Sequence, residues 1–145
     1  MKLAFSDYLC QSLWGIEADP ITAALVTEEV SSCDTTAGWS VIIANSTCWW
    51  GGRLPEKGIE TIYENRLNTL VAAAFHPPMQ ATRVSGGYLI NGRSPLASHV
   101  HDADWIFVTA LVMEGEKIKM NDGIPEAIGV FMKADNCEII DTWYR

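Results

Sequence analysis

Apolar and polar positions divide the chain into two stretches with different periods, helical up to about residue 65 and strand-like beyond it. Asp19-Pro20 marks a helix start, because Asp accepts from orphan N–H groups and Pro at the first helical position has no N–H to lose. The predicted helix runs from Pro20 to Cys33, with Ile21, Ala24, Leu25 and Val30 on one face and Glu28 and Glu29 turned away. A second cap, Asp34-Thr35-Thr36, opens a segment through Trp39, Val41, Ile42, Ile43 and Ala44 to Trp49. It is apolar almost all round, which predicts a buried helix. Gly51-Gly52 stops it, and Pro55-Glu56 opens a short helix ending near Asn65 with Ile59, Ile62 and Tyr63 inward.

The second stretch carries apolar runs of strand length: Thr69 to Phe75, Tyr88 to Ile90, Trp105 to Met113, Ala127 to Met132 and Glu138 to Trp143. Ser85-Gly86-Gly87 and Asn91-Gly92 supply turns, and Asn121-Asp122-Gly123 is assigned to a longer loop. Helices first and strands after, with no βα alternation and no G-x-G-x-x-G, predict an α+β fold. Its N-terminal helices pack on an antiparallel sheet or partial barrel. The expected division is a helical part over 1–66 and a β part over 67–145.

Composition narrows the function classes. Eighteen acidic against ten basic residues give a charge of -8, which repels a phosphate backbone and argues against nucleic acid as a partner. No apolar run approaches the length of a membrane span. Asp7 interrupts the N-terminal apolar residues, so no secretory signal is expected and the predicted location is cytoplasmic. Cys10, Cys33, Cys48 and Cys137 are widely spaced and are expected to be reduced, mostly buried thiols.

Three features could carry chemistry. The six tryptophans suit core packing, or a planar ligand. Ser98-His99-Val100-His101-Asp102-Ala103-Asp104 has the residue types of a metal site, with His99, His101 and Asp104 as ligands, but no further His or acidic partner stands elsewhere at a recognisable spacing; no metal is predicted, and a solvated or hydrogen-bonded loop is expected. Phe75-His76-Pro77-Pro78 ends the first predicted strand in a rigid corner. By residue type alone His76 is a hydrogen-bonded structural residue rather than a catalytic one.

The order of these features resembles the acyl-CoA dehydrogenase superfamily of flavoproteins, especially its branch of flavin-dependent aromatic monooxygenases. Trp14-Gly15-Ile16-Glu17-Ala18-Asp19-Pro20 looks like the family's turn into a helix, Val26 to Val30 and Asp34 to Trp39 like its helix pair, and Leu54 to Gly58 like the helix before the sheet. Most specific is Gly86-Gly87-Tyr88-Leu89-Ile90-Asn91-Gly92-Arg93-Ser94-Pro95-Leu96-Ala97-Ser98, followed by Ala103-Asp104-Trp105. The dehydrogenases' Thr-Glu-Pro segment is here His76-Pro77-Pro78 followed by Met79-Gln80-Ala81, which favours the monooxygenase branch.

The resemblance implies a cofactor, FAD or FMN, and a small-molecule substrate, an acyl-CoA or an aromatic compound. It places Ser98 near the flavin N5 edge, Leu96 and Ala97 in the same loop against the ring, and Phe75, His76, Pro77 and Pro78 along the isoalloxazine. His76 is then the candidate catalytic residue. Family members are much longer, so the chain is expected to be a fragment or truncated product lacking the C-terminal helical bundle. Uncovered apolar surface at Trp49, Trp50 and Trp143 then predicts a homo-oligomer or a missing C-terminal partner. The alternative is a truncated, non-catalytic remnant or interaction module that binds no flavin.

Overall fold

The computed structural model describes residues 18–64 and 69–142. The segment from Met1 to Asp7, Cys10, the turn beginning at Trp14 and the tail from Trp143 lie outside these residues. Three helices come first: α1 (Pro20–Cys33), α2 (Thr35–Gly51) and α3 (Glu56–Ile62). Asp19 accepts from the backbone N–H groups of Ile21 and Thr22 at 3.0 and 3.1 Å, and Asp34 from those of Thr36 and Ala37 at 2.7 and 3.1 Å. Each cap thereby satisfies donors that a helix start leaves orphaned.

Burial of the first two helices departs from the expected pattern. α2 is covered along Gly38, Val41, Ala44, Asn45, Thr47, Cys48 and Gly51, while Trp39, Ile42, Trp49 and Trp50 are between 40% and 55% exposed. Small side chains let neighbouring backbones approach closely, so the bulky ones take the free side. At Gly38 an added Cβ would lie 1.9 Å from Ser31 Oγ of α1. α1 has no buried residue, and its apolar Ile21 and Leu25 are exposed. α3 ends at Ile62, short of the expected end near Asn65, with Ile62 and Tyr63 buried and Ile59 half-buried against them.

The strands are β1 (Val71–Val84), β2 (Gly87–Asn91), β3 (Trp105–Glu114), β4 (Lys117–Ile118), β5 (Met120–Asn121), β6 (Ile124–Pro125) and β7 (Ala127–Lys133). The main sheet has the order β2-β1-β3-β4, with β7 also on β3, while β5 and β6 form a separate hairpin. The architecture is α+β, the helices packing against a curled, partly open sheet.

The sheet is not wholly antiparallel as expected, because β1 and β3 pair in parallel with Val71 opposite Trp105. The β1–β2 hairpin reverses the chain beside the second half of β1, and the connection 92–104 carries it back to the end where β1 began. β3 must then run in the same direction as β1. Three smaller expectations also change. β1 does not stop at Phe75 but continues to Val84, with a register shift against β3 between Ala74 and Met79. Residues 138–142 form no strand: they follow the turn at Ala134–Asn136 and Cys137, which packs against the sheet face, and Asp141 bonds to His101 instead of joining a strand ladder. Asp122 and Gly123 form a two-residue turn between β5 and β6, both at positive φ, 49° and 81°, rather than part of a longer loop.

Alternate residues divide the core between two faces. On the helix side Val71 and Phe107 pack with Cys48, Ile62 and Tyr63. On the other side Ala72, Ala74, Ile106 and Val108 are covered by Ala97, Val100, Ala103 and Cys137. Of the described cysteines only Cys48 is buried; Cys33 is exposed, contrary to expectation, and Cys137 is half-buried, which pushes its thiol pKa up.

Two consequences can be measured. A Cβ at Gly129 on β7 would sit 2.8 Å from the Phe107 ring. Gly129→Ala is therefore expected to cost about 1–3 kcal/mol in urea unfolding. Gly87→Ala, with nothing within 4 Å, is expected to stay within about 0.5 kcal/mol. The second concerns acid. Lys119 Nζ lies 2.6 Å from Glu126 Oε2 and Asn121 Nδ2 donates to the same oxygen at 3.0 Å, so the Lys119 contact foremost holds the Glu126 carboxyl below its ordinary pKa; the Thr22 hydroxyl foremost does the same for Asp19. A depressed folded-state pKa stabilises above the unfolded value and is lost as pH falls through the folded one. The urea midpoint should therefore drop between about pH 5 and about pH 3, and Glu126→Gln should make that drop shallower.

Candidate functional site

Prolines 77 and 78 interrupt β1 at its middle, where the register against β3 slips. With no N–H at either proline the ladder cannot continue, and the strand bulges instead of ending. The freed carbonyls find side-chain donors. Thr109 of β3 donates its hydroxyl to the Phe75 carbonyl, and Ser94 Oγ lies 3.4 Å from the His76 carbonyl oxygen and 3.4 Å from that of Leu96.

The connection 92–104 runs beside this bulge. β2 covers the edge of β1 from Gln80 to Val84, and Ser98 forms an antiparallel bridge to Ala73. Between the two lies the stretch Phe75 to Pro78, so the two segments singled out in the sequence meet. Trp39 of α2 closes the group from the helix side, its indole N–H donating to Ser98 Oγ at 3.1 Å. Phe75 and Leu96 are 43% and 67% exposed beside it. Ala97 turns the other way and packs in the opposite core face. His76 is exposed, and its imidazole makes no hydrogen bond to a described residue. An open cleft of about 240 Å³ adjoins the bulge, lined by Pro78, Met79, Gln80, Asn91 and Gly92.

The helix-side aromatics form a continuous group. Trp50 stacks on Phe107 at 5.5 Å, Phe75 and Phe131 approach the same ring at 5.5 and 5.0 Å, and Trp49 meets Trp50 edge-on at 5.1 Å. The Arg53 guanidinium sits 3.3 Å from the Trp49 ring centroid.

His99, His101 and Asp104 do not converge on a metal. Asp104 Oδ2 accepts from the Leu70 N–H at 2.9 Å, tying the starts of β1 and β3 together, and His101 Nε2 pairs with Asp141 Oδ1 at 2.7 Å. Among the described residues no three His, Cys, Asp or Glu side chains gather as ligands.

The arrangement fits a planar heterocycle with polar edge atoms. It offers exposed apolar surface at Phe75, Leu96 and Trp39, and at Ser98 a hydroxyl whose proton no described residue accepts. No protein-family model matches the chain. In sequence it is 33% identical over 106 residues to the indole-3-acetate monooxygenase of Pseudomonas putida, covering 73% of this chain and 27% of that protein. It is 27% identical over 135 residues to HsaA, the oxygenase subunit of a flavin-dependent monooxygenase of Mycobacterium tuberculosis, covering 92% of this chain and 32% of that one. The fold matches the crystal structure of that HsaA monooxygenase, with a TM-score of 0.79 at 26% identity over 98% of this chain and 36% of the other. The chain has the fold of the flavin-dependent monooxygenase oxygenase subunits and is related to them in sequence.

A further match in fold is XiaF from Streptomyces sp., in complex with FADH2 and glycerol, at a TM-score of 0.82 and 21% identity over 98% of this chain and 35% of that one. The chain thus spans about a third of the length of these relatives. No helix among the described residues is long and apolar enough to cross a membrane. Two site residues were not legible in the sequence. Trp39 lies 59 positions from Ser98, and Thr109 lies 34 from Phe75; only its place on a strand predicted to neighbour the first could have pointed to Thr109.

The exposed aromatics generate a prediction. Trp39, Ile42, Trp49 and Trp50 occupy one flank of α2, and an apolar patch of this kind promotes association. Light scattering over a tenfold concentration range is expected to show a mass rising above 16.0 kDa, and Trp49→Glu should lower it. A constant 16.0 kDa species would contradict this.

Proposed function

We propose that the chain provides one wall of the flavin site in the oxygenase component of a two-component aromatic monooxygenase. The observation that carries this is the meeting of the β1 bulge with the Ser98 loop under Trp39, which places an uncommitted hydroxyl donor beside exposed apolar surface. Relatives support the chemistry: one is an FADH(2)-dependent resorcinol hydroxylase oxygenase component, and a protein of similar fold, TdsC from Paenibacillus sp., is FMN-bound. The proposed cofactor is FAD or FMN and the proposed substrate an aromatic small molecule rather than an acyl-CoA, in keeping with His76-Pro77-Pro78.

A bound reduced flavin supplies the electrons for oxygen activation; the protein holds it, orients it and excludes water. Ser98 donates to the edge of the ring system. Phe75 and Leu96 cover its face, Pro77 and Pro78 keep the neighbouring strand edge free of competing N–H donors, and Ala97 supports the loop from beneath. His76, exposed at the bulge, is the proposed proton-handling residue. We further propose a cytoplasmic protein that works as a homo-oligomer or with a C-terminal partner covering α2.

Flavin titration tests this. A single wall buries less than the roughly 70–90% of ligand surface typical of a complete pocket, so affinity on the order of 0.1 mM is expected for FMN or FAD by fluorescence quenching. Ser98→Ala should weaken it severalfold. No saturable quenching at millimolar flavin would favour the non-catalytic remnant instead.

A further inference from the structure

We propose that Trp39 is a positioning residue that sets the hydrogen-bond polarity of Ser98 toward the flavin. This rests on the flavin reading above and goes beyond it by assigning a role to a helix residue outside the sheet wall. An indole N–H can only donate, whereas a serine hydroxyl has one proton and two lone pairs. At 3.1 Å the Trp39 N–H therefore fixes Ser98 Oγ as its acceptor, removing the alternative in which Ser98 would donate toward α2. The Ser98 proton has no described acceptor, and the backbone of Ser98 is pinned by its bridge to Ala73. With backbone and hydroxyl both constrained, the proton is free for an acceptor atom outside the protein.

Other features of the structure account for why this contact exists. Trp39 is 55% exposed and contributes little to either core cluster, so packing does not explain its orientation. It stands on α2 one residue after Gly38, whose missing side chain lets α1 and α2 approach, and about 100° around the helix from that contact. The helix is thus held by its small face while its large polar-tipped side chain reaches the connection 92–104. Ordering the hydroxyl before a ligand arrives lowers the cost of binding.

Two measurements test the proposal. In the chain labelled with ¹⁵N at its indoles, the Trp39 Nε1–H signal is assigned by its loss in Trp39→Phe. In Ser98→Ala that signal is expected to move upfield and to exchange faster with solvent; an unchanged signal would refute the hydrogen bond without any flavin present. The second is a double-mutant cycle on FMN affinity read by fluorescence quenching. Trp39→Phe keeps an aromatic ring but lacks the N–H, and it should weaken binding about fivefold, as should Ser98→Ala. The double variant should be no weaker than the weaker single, because both remove one interaction. If the unaltered chain binds FMN but Trp39→Phe binds equally well, or the two losses multiply, the positioning role is wrong while the flavin wall stands. If the unaltered chain does not bind FMN, the flavin reading fails and this role falls with it.

Discussion

Two adjacent prolines in the central strand govern the arrangement of the sheet. A parallel pair needs an N–H at alternate positions of each strand, and Pro77-Pro78 cannot supply one at either position. The ladder between β1 and β3 therefore breaks after Ala74 and resumes at Met79 in a shifted register. Around the break the carbonyls of Phe75 and His76, freed from the ladder, accept instead from the hydroxyls of Thr109 and Ser94. The Ser94 contact also brings the connection 92–104 against β1, which is how the Ser98 loop reaches the bulge.

The same connection solves a topological problem. It returns the chain to the start of β1 and forces β3 to run parallel, while its apolar residues Ala97, Val100 and Ala103 roof the face of the sheet opposite α2 and α3. Asp104 then locks the entry to β3 by exchanging contacts with Leu70: its carboxylate accepts from the Leu70 N–H and its own N–H donates to the Leu70 carbonyl. One segment thus carries the predicted ligand-facing hydroxyl, the second core face and the strand start, which explains why its composition mixes polar and small apolar residues.

On the helix side, close approach and aromatic exposure have a common cause. α2 buries Gly38, Ala44, Thr47 and Gly51 because small residues permit tight contacts with α1, the sheet and Tyr63. Its indoles are displaced to the rim, where Trp50 stacks on Phe107, Trp39 meets Ser98 and Trp49 carries Arg53. The rim is both the border of the proposed flavin wall and an apolar surface suited to association.

Local chemistry was sufficient for much of this. Asp19 and Asp34 mark their helix starts because a cap is made within three residues, and β3 and β7 show as apolar runs of strand length. The resemblance carried by Gly86 to Ser98 pointed to the loop that meets the bulge. Tertiary structure alone decided the parallel pairing of β1 with β3, the continuation of β1 through its prolines, the exposure of the α2 tryptophans and the Trp39–Ser98 contact. Each of these depends on which distant segment occupies a given edge or face. Periodicity and caps report only on neighbours a few residues apart, whereas a strand edge is filled, or an indole displaced, by chain that lies tens of residues away.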